Sequence, residues 1–324
     1  MSELGLPQRS DLTICFAHVA YQMSATFSTR QTGLRHFQVW TLDDLTARMS
    51  EADVLVVSGL WRNEFLDQAP KLRFIQSASA GTDQYDRARI AAKGVRLASA
   101  QGANERAVAE HAMALMLGLS RLIHYARDDQ MKAHWRGMLA DRGLREQELG
   151  GQTLVIVGLG RIGARLAGLA HAFGMRVIGV KRQPTEVPGV ERVVPTARLL
   201  EVLPQADFVA LTCPLTPETE GLIGPTQLAA MKPTASLINV ARGRVVDEGA
   251  LIATLQARGI ASAGLDCFHE EPLPASSPFW SMPNVIVTSH TAGETRRYET
   301  NVVDLLMENL ERLYRGESLK NGIV

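Results

Sequence analysis

Four polar residues of different chemistry follow strand-like apolar runs in the second half of the chain. Arg242 comes after the run 235–239 and Asp266 directly after 260–265. Glu271 lies in the segment that follows, and His290 comes after 285–288. An imidazole titrates near neutrality and can pass a proton to an oxygen as negative charge develops there. A carboxylate beside it holds the ring in one orientation and favours its protonated form. A guanidinium binds a carboxylate at two points and polarises an adjacent carbonyl. Together these groups suit hydride transfer to a carbonyl beside a nicotinamide. Each also has a plain structural reading: Arg242 in a loop salt bridge, Asp266 capping a strand, Glu271 in a solvated turn before Pro272, His290 at a helix start before the small residues 291–293. Their shared placement at strand ends is what joins them.

Shared placement needs parallel strands, whose carboxyl ends all lie on one sheet edge. The run 153–163, TLVIVGLGRIG, marks that edge. Its apolar β-branched start reads as a strand covered on both faces. Gly158 suits a tight turn, Gly160 allows close approach of backbone to a pyrophosphate, and Gly163 lets the following helix sit against the strand. That helix is expected over 161–173, closed by Gly174. Its free N–H groups and dipole would face an anion. A G-x-G-x-x-G pattern alone is weak. A second strand, Arg176–Val180, follows at the spacing of a βαβ unit and strengthens it. At its end, where NAD-binding units carry an acidic residue for the ribose, stands Lys181-Arg182. Two cations there can pair with the 2′-phosphate of NADP; the alternative is a solvated pair at a strand end.

The rest of the sequence alternates in the same way. In the first block, strands are expected over 12–17, 54–57, 72–76 and 95–98, separated by helices over 42–49, 61–67 and 85–93. The loop 77–83 contains mainly small residues, SASAGTD, after a strand. Free backbone N–H groups in such a loop can bind a carboxylate; an ordinary β-to-α turn reads the same. A long apolar helix is expected from 105 to about 127. A polar, irregular stretch then runs to 149 as a loop or an arm on a partner subunit. After Lys181 come a polar loop and a short helix over 196–203. The next strands, 208–211 and 235–239, end in 212–217 and 240–243. The last helix, 296–314, is amphipathic and is expected to return to the first block.

Charge is balanced, with 34 basic and 34 acidic residues, which gives no footprint for nucleic acid or an anionic membrane. Cys15, Cys213 and Cys267 are odd in number and fit no metal spacing, so buried free thiols and no metal site are expected. Residues 1–11 lack the apolar core of a signal peptide, and no apolar run reaches the roughly 18 residues of a membrane span. A cytoplasmic protein is the expectation.

The motifs GLGRIG at 158–163, PLTPET at 214–219, NVARG at 239–243, LDCFHEEPLP at 265–274 and HTAG at 290–293 occur in that order. Together they resemble the D-isomer-specific 2-hydroxyacid dehydrogenases; Ala109-Glu110-His111 also resembles the interdomain helix of that family. The resemblance implies a catalytic set of Arg242, Glu271 and His290. It implies cofactor contacts from Arg161, Ile162, Lys181, Arg182, Pro214, Thr219, Val240 and Asp266, with Asp266 receiving the nicotinamide amide. Ala80 and Gly81, with Arg242 and His290, would bind substrate. It further implies a homodimer, with 127–149 as the dimer arm and Trp135 reaching towards the partner. Two positions depart from the family pattern. Lys181 replaces the usual acidic residue, as in glyoxylate and hydroxypyruvate reductases, and Ser289 stands where proline often precedes the histidine.

The expected architecture is α/β, with two doubly wound parallel sheets. A Rossmann dinucleotide-binding domain, 104–294, is inserted in a flavodoxin-like substrate-binding domain, 1–103 and 295–324. The expected reaction is reduction of a small 2-keto acid of the glyoxylate or hydroxypyruvate type to the D-2-hydroxy acid. NADPH is the preferred cofactor and NAD the alternative. A relative acting on another small anionic donor, such as formate or phosphite, and a nucleotide-sensing scaffold share these motifs. Trp61, Trp135 and Trp280 leave the side-chain specificity open.

Overall fold

The computed structural model describes residues 6–324; residues 1–5 of the stretch 1–11, read as lacking a signal-peptide core, lie outside them. The chain divides into two compact units, residues 1–104 with 294–324, and residues 105–293.

The first unit contains β1 (Thr13–Ala17), α1 (Met23–Ser28), β2 (Arg35–Val39), α2 (Leu42–Arg48), β3 (Val54–Val57), α3 (Phe65–Gln68), β4 (Phe74–Ser77), α4 (Arg87–Ala92) and β5 (Arg96–Ala98). The strands form one parallel sheet in the order β2-β1-β3-β4-β5. β3 and β4 are buried at every residue; β3 reads as an unbroken apolar run, whereas β4 also buries polar Gln76 and Ser77 at its end. β2 is half exposed on an edge, and its RHFQV sequence carries no such run. The sequence pattern therefore does not reveal β2, nor α1 before it. α3 is also shorter than expected, because Trp61 to Glu64 form a turn.

The second unit contains α5 (Glu105–Ser120), α6 (Ile123–Met131), β6 (Thr153–Val157), α7 (Arg161–Ala172), β7 (Arg176–Val180), β8 (Arg192–Val194), α8 (Leu199–Val202), β9 (Phe208–Leu211), α9 (Pro225–Ala230), β10 (Ser236–Asn239), α10 (Glu248–Gln256), β11 (Ser262–Leu265) and β12 (Val285–Val287). The seven strands are all parallel, in the order β12-β11-β10-β9-β6-β7-β8. The chain starts at β6, winds outward through β7 and β8, then returns to β9 on the other side. The fork between β6 and β9 is the topological switch point, where open α/β sheets leave a crevice for ligand. Short β8, on the far edge, lies where the sequence pattern suggests only a polar loop.

The long helix expected from 105 to 127 is two helices. Leu122 has φ +52°, a conformation L-residues avoid, and the chain turns there from α5 into α6. Val108, Ala109, Ala112, Met113, Leu115, Met116 and Leu119 of α5 are buried with Leu154 and Ile156 of β6. α6 buries none of its residues. Its polar sequence, IHYARDDQM, contrasts with the apolar α5, but no glycine or proline stands at the turn between them.

In the first unit, α11 (Tyr298–Tyr314) packs Val302, Val303, Leu306 and Leu310 with Phe16, Phe27 and Phe74, the return expected of the last amphipathic helix. One capping device recurs in both units. Asp53 accepts from the Thr13 N–H at 2.9 Å, and Asp207 accepts from the Thr153 N–H at 2.8 Å. Each carboxylate sits just before the neighbouring strand and satisfies the first N–H of the sheet's opening strand. Among the described residues, no helix is long and apolar enough to cross a membrane. The three cysteines are buried free thiols.

Candidate active site

The glycine turn sits at the switch point, and its shape follows from what surrounds it. Gly158 has φ +100°, and a Cβ built on it would lie 2.4 Å from the Cys213 backbone nitrogen. No side chain fits between the ends of β6 and β9. Gly163 is equally confined: its Cβ would fall 2.5 Å from the Gly158 carbonyl oxygen. A Cβ on Gly160, by contrast, meets nothing within 4 Å. Gly160 precedes α7 with extended backbone, so open space lies directly at that helix's N-terminus. This is the room a pyrophosphate needs, with helix N–H groups to receive it. The residues therefore fit a dinucleotide. Ile162 lies half-buried and Arg161 exposed on the first turn of α7.

Beyond β7, Lys181 donates from Nζ to Thr185 Oγ1 at 3.0 Å, and Arg182 is exposed beside it. After β9, the 214–219 segment closes on itself. The Thr216 N–H donates to Thr219 Oγ1 at 2.8 Å, and that hydroxyl donates to the Pro214 carbonyl at 2.7 Å. Thr219 thus shapes the loop from within, leaving Pro214 exposed.

After β10 comes a tight turn built by Asn239. Its side chain accepts from the Ala241 N–H and donates to the Arg242 carbonyl, each at 3.0 Å. Val240 is buried here, and Arg242 stands half-buried with extended backbone. A Cβ on Gly243 would lie 2.0 Å from the Phe268 backbone, so this turn lies directly on the one after β11. That contact brings Arg242 and Glu271 into one neighbourhood.

Glu271 is gripped at both oxygens. Oε1 accepts from the Phe268 N–H at 2.9 Å, and Oε2 lies 2.7 Å from His290 Nδ1. Burial pushes the carboxyl up. The bonds from His290 and the Phe268 N–H, with the nearby charges of His290 and Arg242, outweigh this and hold it below its ordinary value. The hydrogen bond to Glu271 raises the imidazole of His290, against the opposing pull of burial. An ionised Glu271 accepts a hydrogen bond from Nδ1–H, which leaves Nε2 as the outward nitrogen. His290 itself has φ +53°, a left-handed backbone state that is uncommon for non-glycine residues but one in which histidine is enriched.

Asp266 is 1% exposed and holds the backbone on the far side of His290. Oδ1 accepts from the Thr288 hydroxyl at 2.6 Å and the Thr291 N–H at 2.9 Å. Oδ2 accepts from the Ala292 N–H at 3.1 Å.

The first unit carries the small-residue loop expected over 77–83 at the carboxyl end of β4. The Ser77 hydroxyl donates to the Ser79 carbonyl at 3.0 Å, and that of Ser79 to the Gly81 carbonyl at 2.8 Å. With carbonyls turned inward, the Ala80 and Gly81 N–H groups find no protein acceptor among the described residues. The Tyr298 hydroxyl donates to the Ala78 carbonyl. Sequence reasoning does not single out Ser79 or Tyr298, and for Tyr298, 220 residues away, the sequence holds no signal.

Of the tryptophans, Trp61 lies 3% exposed in the core, packed on Phe65 and Tyr85 with its indole N–H on Asn63. Trp280 is half exposed, and Trp135 lies almost wholly in solvent.

Comparison with known proteins agrees with this architecture. The family model for the D-isomer specific 2-hydroxyacid dehydrogenase NAD binding domain matches residues 113–292. The chain is 37% identical over 262 residues to a glyoxylate reductase of Korarchaeum cryptofilum, covering 78% of this chain and 76% of that one. It is 35% identical to a glyoxylate/hydroxypyruvate reductase B of Yersinia enterocolitica, covering 86% of each. A crystal structure of an NADPH-dependent glyoxylate/hydroxypyruvate reductase from Sinorhizobium meliloti, in complex with NADP and malonate, superposes with a TM-score of 0.83 at 27% identity, covering 97% of both chains. The chain is an oxidoreductase belonging to the D-isomer specific 2-hydroxyacid dehydrogenase family, with a Rossmann NAD(P)-binding domain.

Proposed function

We propose that the protein reduces a small 2-keto acid of the glyoxylate or hydroxypyruvate type to the D-2-hydroxy acid, with NADPH preferred over NADH. The observation that carries this reading is the His290–Glu271 pair, 2.7 Å apart, with Arg242 on the adjoining turn. The bond to Glu271 raises the His290 imidazole above its ordinary value and so favours its protonated form. His290 gives that proton from Nε2 to the keto oxygen, and Glu271 stabilises and orients the ring. Arg242 binds the substrate carboxylate and polarises the carbonyl. Ala80 and Gly81 offer their N–H groups to a carboxylate. Gly158, Gly160, Arg161, Ile162 and Gly163 would cradle the pyrophosphate of a dinucleotide, with Pro214, Thr219, Val240 and Asp266 along the rest of it; when bound, its nicotinamide would supply the hydride for the keto carbon.

Preference for NADPH is supported by Lys181 and Arg182, two cations where a ribose-binding acid would repel a 2′-phosphate. The names of the Yersinia and Sinorhizobium relatives support the substrate class. A homodimer is supported by the apolar residues on 123–144: Ile123, Met131, Trp135, Met138 and Leu144 are each at least 58% exposed. Such a group on a free surface marks a partner contact.

The test is a panel of 2-keto acids assayed with NADPH and NADH side by side. Reduction of glyoxylate and hydroxypyruvate, faster with NADPH, is the expected result. No reduction of any 2-keto acid would overturn the reading.

A further inference from the structure

We propose that His111, on α5, is a positioning residue of this site. A hydrogen-bonded chain, His111–Thr288–Asp266, fixes the turn that carries His290. The inference rests on the reading of His290 as the acid–base group.

Proton accounting sets the direction of the chain. Thr288 Oγ1 lies 2.6 Å from Asp266 Oδ1 and 3.0 Å from His111 Nε2. A hydroxyl has one proton to give. The Asp266 carboxylate already accepts from the N–H groups of Thr291 and Ala292, and the Thr288 hydroxyl donates to the same group. The contact to His111 must then run the other way, with Nε2–H donating to the hydroxyl oxygen. His111 Nε2 stands 3.6 Å from Asp266 Oδ1, too far for a direct bond, so the hydroxyl is the necessary intermediary.

The anchored turn needs such support. His290 has φ +53°, a state L-residues avoid and keep only where the surroundings fix it. Glu271 fixes the ring; it does not touch the backbone of the turn. Asp266 fixes that backbone, at Thr291 and Ala292, and is itself held by Thr288. His111 ties the assembly to α5, the helix whose apolar face is buried in the unit's core. The two carboxylates therefore act on different parts of the same residue. Glu271 aims the imidazole, and Asp266 sets the main chain from which it is aimed. Loss of the His111 donor would let the ring drift without disturbing Arg242, so it should act on the proton-transfer step more than on substrate binding.

The test uses the full-length protein with glyoxylate or whichever keto acid it reduces. His111→Leu should lower kcat about tenfold and leave KM within about twofold. His111→Gln places an amide N–H where Nε2–H stood and should restore most of the loss. Thr288→Val should lose a similar factor, and the double variant no more than the larger single loss. In parallel, 15N NMR of labelled histidines should find His111 protonated at Nε2, and His111→Leu should move the His290 ring signals. Unchanged kcat in His111→Leu, no rescue by Gln, or multiplying losses in the double variant would overturn the proposal. So would a bare Nε2 or unmoved His290 signals. If the wild type reduces no keto acid, the functional reading fails while the NMR measurements still decide the hydrogen-bond chain.

Discussion

Glu271 and His290 share one bond of 2.7 Å, and the other oxygen of Glu271 is fixed by the Phe268 N–H at 2.9 Å. The carboxylate cannot turn away from the imidazole without giving up a backbone bond. The pair is therefore organised before any substrate arrives, which is what electrostatic assistance at a transition state requires. His290→Ala should lower kcat by about 10²- to 10⁴-fold, the usual worth of a positioned acid–base group. NADPH binding, followed by fluorescence, should change by less than about twofold because the variant leaves the glycine turn intact. Near-normal turnover would remove His290 from the mechanism.

The same pair sets a pH dependence whose sign is fixed. His290 is raised above the ordinary 6.5 by Glu271, so the imidazolium persists to higher pH than a free histidine would. Reduction, which consumes that proton, should fall as pH rises through the raised value. The pair's stabilising effect should fade over the same interval, being complete only below the unfolded pKa. Glu271 is held below 4.5, so the acid side should hold until Glu271 is protonated. Glu271→Gln removes the main cause of the raised value, and the alkaline limb of kcat/KM for reduction should move to lower pH. A limb that stays in place would assign it to another group.

Gly158 and Gly160 look alike in the motif but should fail differently. Gly158→Ala forces a Cβ to 2.4 Å from the Cys213 backbone at φ +100°. It should destabilise the protein by about 3 kcal/mol, from backbone strain plus overpacking, read as a lower unfolding midpoint. Gly160→Ala meets open space, so stability should change by less than about 0.5 kcal/mol. The added methyl would fill the place proposed for the pyrophosphate, and NADPH affinity should fall at least about tenfold. Unchanged NADPH affinity in Gly160→Ala would mean that the space at Gly160 is not a ligand's.

These contrasts show where the sequence is legible. β3, β6 and β9 are apolar at nearly every position because both faces are covered, and covered parallel strands announce themselves in one dimension. The strand ends, and so the position of Arg242, Asp266, Glu271 and His290 on one edge, follow from them. Edge strands β2 and β8 carry no such run, so pattern does not find them. The break at Leu122 depends on a backbone angle that leucine does not advertise. The bonds of Asp266 to Thr288, Thr291 and Ala292, and of Tyr298 to Ala78, join residues far apart in sequence. Pattern alone locates the chemistry but not the hydrogen bonds that aim it.

The arm offers a prediction about assembly. Trp135 and Met138 expose almost their entire surface, a cost that a monomer of this size has little reason to bear. Trp135→Asp with Met138→Asp should convert a dimer to monomers in sedimentation, with the α/β core intact by circular dichroism. A wild type that sediments as a monomer would sink the dimer proposal.

The proposed cofactor preference rests on two cations beyond β7. Lys181 Nζ is held by the Thr185 hydroxyl, and Arg182 is exposed, its charge acting on the Glu218 carboxylate. A charge-assisted hydrogen bond contributes about 1.5–3 kcal/mol, so on the proposed reading two of them should favour NADPH over NADH by at least about tenfold. Lys181→Asp with Arg182→Ala removes both donors and adds a charge that repels the 2′-phosphate. The NADPH-to-NADH ratio of kcat/KM should fall by about two orders of magnitude, almost all of it through KM for NADPH. The wild-type preference should also weaken with added salt, because exposed cations are screened, whereas that of the double variant should not. A ratio unchanged by both substitutions would show that the 2′-phosphate, if it is read at all, is read elsewhere.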